Sequence, residues 1–287
     1  MVDENIGGDV PSYYVTEVDA SSTSQLSLVG ASAPKITQQP KSQLAQVGAN
    51  AAFSVAATGN PAVSYQWQQD GYALSDEGEF SGSASPTLSI TGVNPADAGT
   101  FSVVVANIEG SVTSANATLS IGDFLTVQTN VSGWGSITPS YNGQLLTDGQ
   151  PYTLTATPAA GFGFKNWTDG TGHGLTNGTT LKFLMASNLT LTANFADTTP
   201  PVVAITNVPP GLSVSNAAFV VKGTASDNVA VTNVVYSLNG SGWLAANDNN
   251  QWSNWTAAVT LVPGANRLLA QAVDTSSLSD LEKAKYI

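Results

Sequence analysis

Four residues of this chain have the types and settings to hold a metal ion. Asp197 precedes the stiff run Thr198-Thr199-Pro200-Pro201, Asp227 and Asn228 are neighbours in a polar loop, and Asp274 closes an apolar run. Calcium takes roughly six to eight oxygens from carboxylates, amides and backbone carbonyls, and loops of this kind supply all three. The expectation is that Asp197, Asp227, Asn228 and Asp274 converge at one end of a domain formed by the last third of the chain. Calcium is the one cofactor this leaves open; no other is indicated. A second polar run, Asn247-Asp248-Asn249-Asn250, offers similar donors but reads as an Asx-type hairpin turn.

The other chemistry-bearing residues are sparse. His173, the single histidine, lies in Asp169-Gly170-Thr171-Gly172-His173-Gly174. A lone loop histidine builds no multi-histidine metal site and has no partner to orient it as a base. No Gly-x-Ser-x-Gly elbow is present to raise a serine nucleophile. Glu77 and Glu79 flank Gly78 in a polar loop where both should stay ionised. A two-carboxylate glycosidase needs one acid in a setting that raises its pKa. With no cysteine, thiolate catalysis, Cys-built zinc sites and disulfides are excluded. The expected class is not an enzyme.

Aromatic residues offer a second kind of site. Trp243, Trp252 and Trp255 cluster, and Trp255 precedes the strand-like 257–261, so it reads as core. Trp243 and Trp252 sit beside turns and are the candidate platform for a glycan, with cell-surface or matrix polysaccharide as the partner.

The elements that must position these groups are β-strands. Short runs rich in Val, Thr, Leu and Phe alternate with turn clusters, and no segment keeps a helical period. The class is all-β. A length of 287 residues suits several domains of roughly 100 residues each. Punctuation divides it into residues 34–122, 123–197 and 198–287, after a segment 1–33. That first segment contains two strand-like runs, 13–18 and 25–29, expected to be the remnant of a preceding domain or an assembly strand that completes a neighbour's sheet. Twenty acidic residues against eight basic ones give a net charge of −12, so neither nucleic acid nor an anionic membrane is an expected partner. No apolar run is long enough to span a membrane. The acidic start shows no export signal, and the chain is expected to be a piece of something longer.

Each segment carries a resemblance. In the first, Trp67 lies upstream of Asp97-Ala98-Gly99-Thr100-Phe101-Ser102-Val103. It resembles the immunoglobulin-like, I-set-like repeats of bacterial surface proteins. The resemblance implies that Phe101 is the corner aromatic and that Val103 and Val55 stand where a disulfide would be, packed against Trp67. In the second, Leu154-Thr155-Ala156-Thr157-Pro158 and Phe164-Lys165-Asn166-Trp167 resemble the divergent internalin-type B repeat, a small β unit with Trp167 as core. Trp134, between two glycines, is the aromatic expected at the surface there. In the third, Gly223-Thr224-Ala225-Ser226-Asp227-Asn228, Trp255 and Ala272-Val273-Asp274 resemble bacterial Ig-like domains, with 281–287 as a weak closing strand.

These resemblances imply a non-catalytic stalk, adhesin or fibre segment on the outside of a bacterium, whose partners are other domains or copies of the same protein. The alternative is an accessory carbohydrate-binding region of a secreted polysaccharide-active enzyme.

Overall fold

The computed structural model describes residues 30–287. Residues 1–29 lie outside them, and with them both strands expected at 13–18 and 25–29. Two compact units are formed. One comprises the described residues through Phe124 with Gln144–Gln150 and Leu184–Asn188; the other comprises Leu125–Gly143, Pro151–Phe183 and Leu189–Ile287.

Trp67 organises the first sandwich. Its strand, Ser64–Gln69, turns through Asp70-Gly71, both at positive φ, into Tyr72–Ala73. Two left-handed residues match the twist of a tight hairpin, which is why Asp-Gly is favoured there. On its other side it pairs antiparallel with Gly99–Asn107, register Trp67 with Val103. The sheet continues through Ala117–Phe124 to Leu145–Thr147, with Gln43–Gln46 joined parallel to Ala117–Phe124. Ala51–Ser54, Thr87–Ile90 and Phe80–Ser81 form a second sheet, and Ser32–Gln38 pairs with Ala56–Asn60. The alternation along Gly99–Asn107 sends Phe101, Val103 and Val105 inward, where all three are fully buried.

Trp67 has no exposed surface and donates its indole N–H to the Ser85 carbonyl at 2.9 Å. Phe53 stacks on Phe101 with centroids 4.6 Å apart, and Val55 and Val103 lie in the same buried cluster. Aliphatic and aromatic packing therefore closes the sandwich where the resemblance placed a disulfide. The corner also explains its glycine: a Cβ on Gly99 would sit 2.7 Å from Asp70 Oδ2. Asp70 Oδ1 there accepts from both the Thr100 N–H and the Thr100 hydroxyl, each at 2.8 Å.

In the second unit, Thr126–Thr129 runs parallel to Thr190–Asp197, which pairs antiparallel with Phe162–Asp169, itself joined to Gly174–Thr176. Gly135–Thr138, Pro151–Pro158 and Thr180–Leu184 make a second sheet. Trp167 is fully buried and donates to the Thr179 carbonyl at 3.1 Å. Trp134, expected at the surface, is instead half-buried, stacked on Phe162 at 4.8 Å.

From residue 202 a further sandwich follows. One sheet runs Val202–Ile205, Ala218–Ser226, Trp255–Thr260, Asn247–Asp248. The other runs Leu244–Ala245, Val231–Leu238, Arg267–Asp274, with two edge pieces, Ser279–Leu281 and Lys285–Tyr286, on the last strand. The closing strand thus forms in two parts around 282–284. Trp255 is buried, and Gly223 makes room for it: a Cβ there would lie 2.1 Å from the indole Cζ2.

Candidate metal centre

Topology brings the three aspartates to one end of the last sandwich. Asp197 is the final residue of Thr190–Asp197, and the chain then passes through Pro200 and Pro201 into the strand whose first residue, Val202, pairs with Ser226. Asp227 follows Ser226 directly. Asp274 ends its own strand and pairs with Val231, the residue that resumes after the Asp227 loop. Of the four residues expected here, Asp197, Asp227 and Asp274 come together, one carboxylate oxygen from each lying within 4.8 Å of the others, while Asn228 reaches them as a hydrogen-bond donor to Asp197.

Each carboxylate uses one oxygen to hold a turn. Asp197 Oδ1 accepts from the Thr199 N–H at 3.0 Å and from Asn228 Nδ2 at 3.1 Å. Asp227 Oδ2 accepts from the Val229 and Ala230 N–H groups at 2.8 and 3.1 Å. Asp274 Oδ1 accepts from the N–H groups of Ser276 and Leu278 at 2.7 and 2.8 Å. The other oxygens, Asp197 Oδ2, Asp227 Oδ1 and Asp274 Oδ2, are buried without any hydrogen-bond partner. Asp197 is 5% exposed and Asp274 2%.

Three like charges so close oppose one another by about 3 kcal/mol per pair at the effective dielectric of a protein surface. A buried acceptor left unpaired costs about 1–3 kcal/mol more. Among the described residues, no lysine or arginine pairs with any of the three; the ion pair recorded is Lys285 with Glu282 at 3.4 Å. The turns hold the three side chains in place against this repulsion.

Asn228 plays a part that spacing did not show. Its side-chain amide donates to Asp197, so it orients that carboxylate. Next to it, the Gly161 carbonyl accepts from the Thr198 N–H and from the hydroxyls of Thr198 and Thr199, all at 3.0 Å, strapping the segment after Asp197.

The remaining candidates sit apart from this cluster. The polar run expected as a turn over Asn247–Asn250 is half strand: Asn247–Asp248 pairs at the sheet edge, and the turn comes after it, where Asp248 Oδ1 accepts from the Trp252 N–H at 2.7 Å. Trp243 is 46% exposed, whereas Trp252 is partly buried against the core of its sandwich. Trp252, Gln251 and Asn250 all have positive φ, and the Trp252 carbonyl accepts from the Ala225 N–H. His173 is exposed in its turn, where its N–H donates to Asp169 Oδ1.

Glu79, expected as a solvated loop acid, lies beside Asp97 and accepts from Asn94 Nδ2 at 3.3 Å. Burial, the largest cause, raises the Asp97 carboxyl above its ordinary range, with the Glu79 carboxylate adding to it and the Asn94 N–H opposing. Glu79 is correspondingly lowered, first by its own N–H and then by Asp97. The Asn94 and Asp97 side chains cap Pro95–Asp97 reciprocally, so this pair serves the corner.

Three domain families match successive parts of the chain. Residues 34–121 match the immunoglobulin I-set domain, residues 125–199 the divergent InlB B-repeat domain, and residues 201–277 the bacterial Ig domain. The chain carries these three domains in tandem. A curated relative, "Peroxidasin homolog" of Homo sapiens, is 33% identical over 88 residues, which is 31% of this chain and 6% of that protein. The chain thus spans a small fraction of that relative's length. Solved structures similar to it include titin domain M7, 30% identical over 32% of this chain and 95% of that one, with a TM-score of 0.30. An I-band fragment of titin covers 87% of this chain and 96% of its own at 12% identity, with a TM-score of 0.41. Among the described residues no helix is long and apolar enough to cross a membrane.

Proposed function

We propose that this chain is a non-catalytic structural or adhesive segment of a bacterial surface or secreted protein, a stalk, adhesin or fibre subunit. The observation that carries the reading is the tandem of an I-set domain, an InlB-type B-repeat and a bacterial Ig domain along one chain. Domains of these kinds present surfaces and set spacing, and their partners are further domains or copies of the same protein. Two tests address it. Protease treatment of intact producing cells should release peptides of this chain; peptides obtained only after lysis would overturn the surface placement. Sedimentation velocity over a concentration series then separates a fibre subunit, whose mass grows with concentration, from a stalk, whose mass does not.

A second reading, an accessory region that binds polysaccharide, has one supporting observation: Trp243 presents nearly half its surface to solvent. Stacking of a sugar on that indole would make a glycan-array signal disappear in Trp243→Ala. Signal retained in that variant removes this reading.

A further inference from the structure

We propose that Asp197, Asp227 and Asp274 bind one calcium ion, and that this ion ties the last strand of the B-repeat to the bacterial Ig domain. Two independent observations meet here. One is the spacing: oxygens from the three carboxylates lie within 4.8 Å of one another. Two oxygens that share one calcium, each roughly 2.4 Å from it, can be at most about 4.8 Å apart. The other is the hydrogen-bond inventory: Asp197 Oδ2, Asp227 Oδ1 and Asp274 Oδ2 are buried acceptors with no donor, although each partner oxygen on the same carboxylate is satisfied by the backbone. Buried carboxylates with one oxygen fixed and the other free are ligands held ready.

The donor set selects the class of ion. All three donors are hard carboxylate oxygens, and with no cysteine in the chain and the single histidine in a separate loop, softer transition metals find none of their preferred ligands. Magnesium requires near-ideal octahedral geometry at about 2.0–2.1 Å and gives up water reluctantly, whereas calcium accepts irregular shells. Turns from three separate segments make an irregular shell.

The site has a consequence for the junction. Asp197 belongs to the B-repeat sheet through its pairing with Phe162, while Asp227 and Asp274 belong to the Ig sandwich. Without the ion the two are linked here by residues 198–201 and the Asn228–Asp197 hydrogen bond. With it, a divalent charge joins all three carboxylates. The ion is then a regulator of how firmly the second and third domains are joined, and its removal loosens that joint without unfolding either sandwich.

The full chain, freed of metal, is titrated with calcium chloride by isothermal calorimetry, with magnesium chloride in parallel, and Thr198 and Thr199 are followed by amide hydrogen exchange. One calcium site is expected, with a dissociation constant of roughly 0.1–1 mM or tighter, weaker magnesium binding, and slowed exchange at Thr198 and Thr199. Saturating calcium should raise the last melting transition by at least about 5 °C. In Asp274→Asn and Asp227→Asn the heat should vanish; in EDTA both should melt no lower than the unsubstituted chain, because one of the repelling charges is gone. No heat up to 10-fold above the upper constant, on the unsubstituted chain, overturns the site whatever the variants do. Binding that survives both substitutions places the ion elsewhere and overturns the assignment. Binding with unchanged exchange at Thr198 and Thr199 overturns the tie between domains.

Discussion

The first and last sandwiches solve the same packing problem and finish it differently. Each closes over a buried tryptophan, without a disulfide. In the I-set domain Trp67 donates to the Ser85 carbonyl, and no buried side-chain polar atom among its described residues lacks a partner. In the bacterial Ig domain the Trp255 indole N–H has no partner, and two buried aspartate oxygens wait at its end beside that of Asp197. The first sandwich is complete as a chain. The last, with its junction, leaves three buried carboxylate oxygens unpaired.

Breaking the self-sufficient core should have the largest effect. Trp67→Ala is expected to cost about 3–5 kcal/mol, because it removes a fully buried indole and leaves the Ser85 carbonyl unpaired. Urea unfolding with and without calcium should show this loss to be independent of the ion. Next in size, Val55→Cys with Val103→Cys should restore a cross-link and raise stability by about 2–4 kcal/mol. Mass analysis would show two hydrogens lost, and failure to oxidise would mean that the two strands do not present their Cβ atoms as a disulfide requires. Gly223→Ala should then cost about 1–3 kcal/mol, since its Cβ meets the Trp255 ring at 2.1 Å and the Ala204 carbonyl at 2.3 Å. A melting temperature unchanged by Gly223→Ala would show that the last core is looser than its geometry indicates.

The smallest effect concerns Asp148, which lies in the first unit with one oxygen buried and unpaired. Burial, and secondarily the Asp123 charge, raise its carboxyl above the ordinary range. A raised carboxyl contributes stability while protonated at low pH and loses it as pH rises through the raised value. Asp148→Asn, neutral throughout, should therefore melt higher than the unsubstituted chain at pH 7. The difference should close as pH falls below about 4. A gap that persists at low pH would assign the effect to shape and not to charge.

Local spacing made much of the architecture legible. Phe101, Val103 and Val105 share a face because strand side chains alternate, and Asp70-Gly71 is a hairpin turn because both residues tolerate positive φ. The three aspartates could be placed at one end because each sits where a strand begins or ends. What spacing could not give was which oxygen of each carboxylate is spent on a turn, or that Asn228 orients Asp197. Those depend on how separate loops face each other. Glu79 beside Asp97 was hidden for the same reason, although the Asn94–Asp97 cap is visible as a sequence pattern. Trp252 lies in a run of three left-handed residues, none of them glycine, a conformation that residue preference argues against.

The parallel pairing of an early strand with the last strand of a domain has a mechanical consequence. In the I-set domain Gln43–Gln46 lies parallel to Leu119–Gly122, and in the B-repeat Thr126–Thr129 lies parallel to Thr190–Ala193. When tension draws the ends of either domain apart, the two strands of each pair are pulled in opposite directions along their length. Their hydrogen bonds are then loaded in shear and must fail together, instead of opening one after another like a zip. Force spectroscopy on either domain should record a high rupture force that falls when proline replaces Leu44 or Gln128.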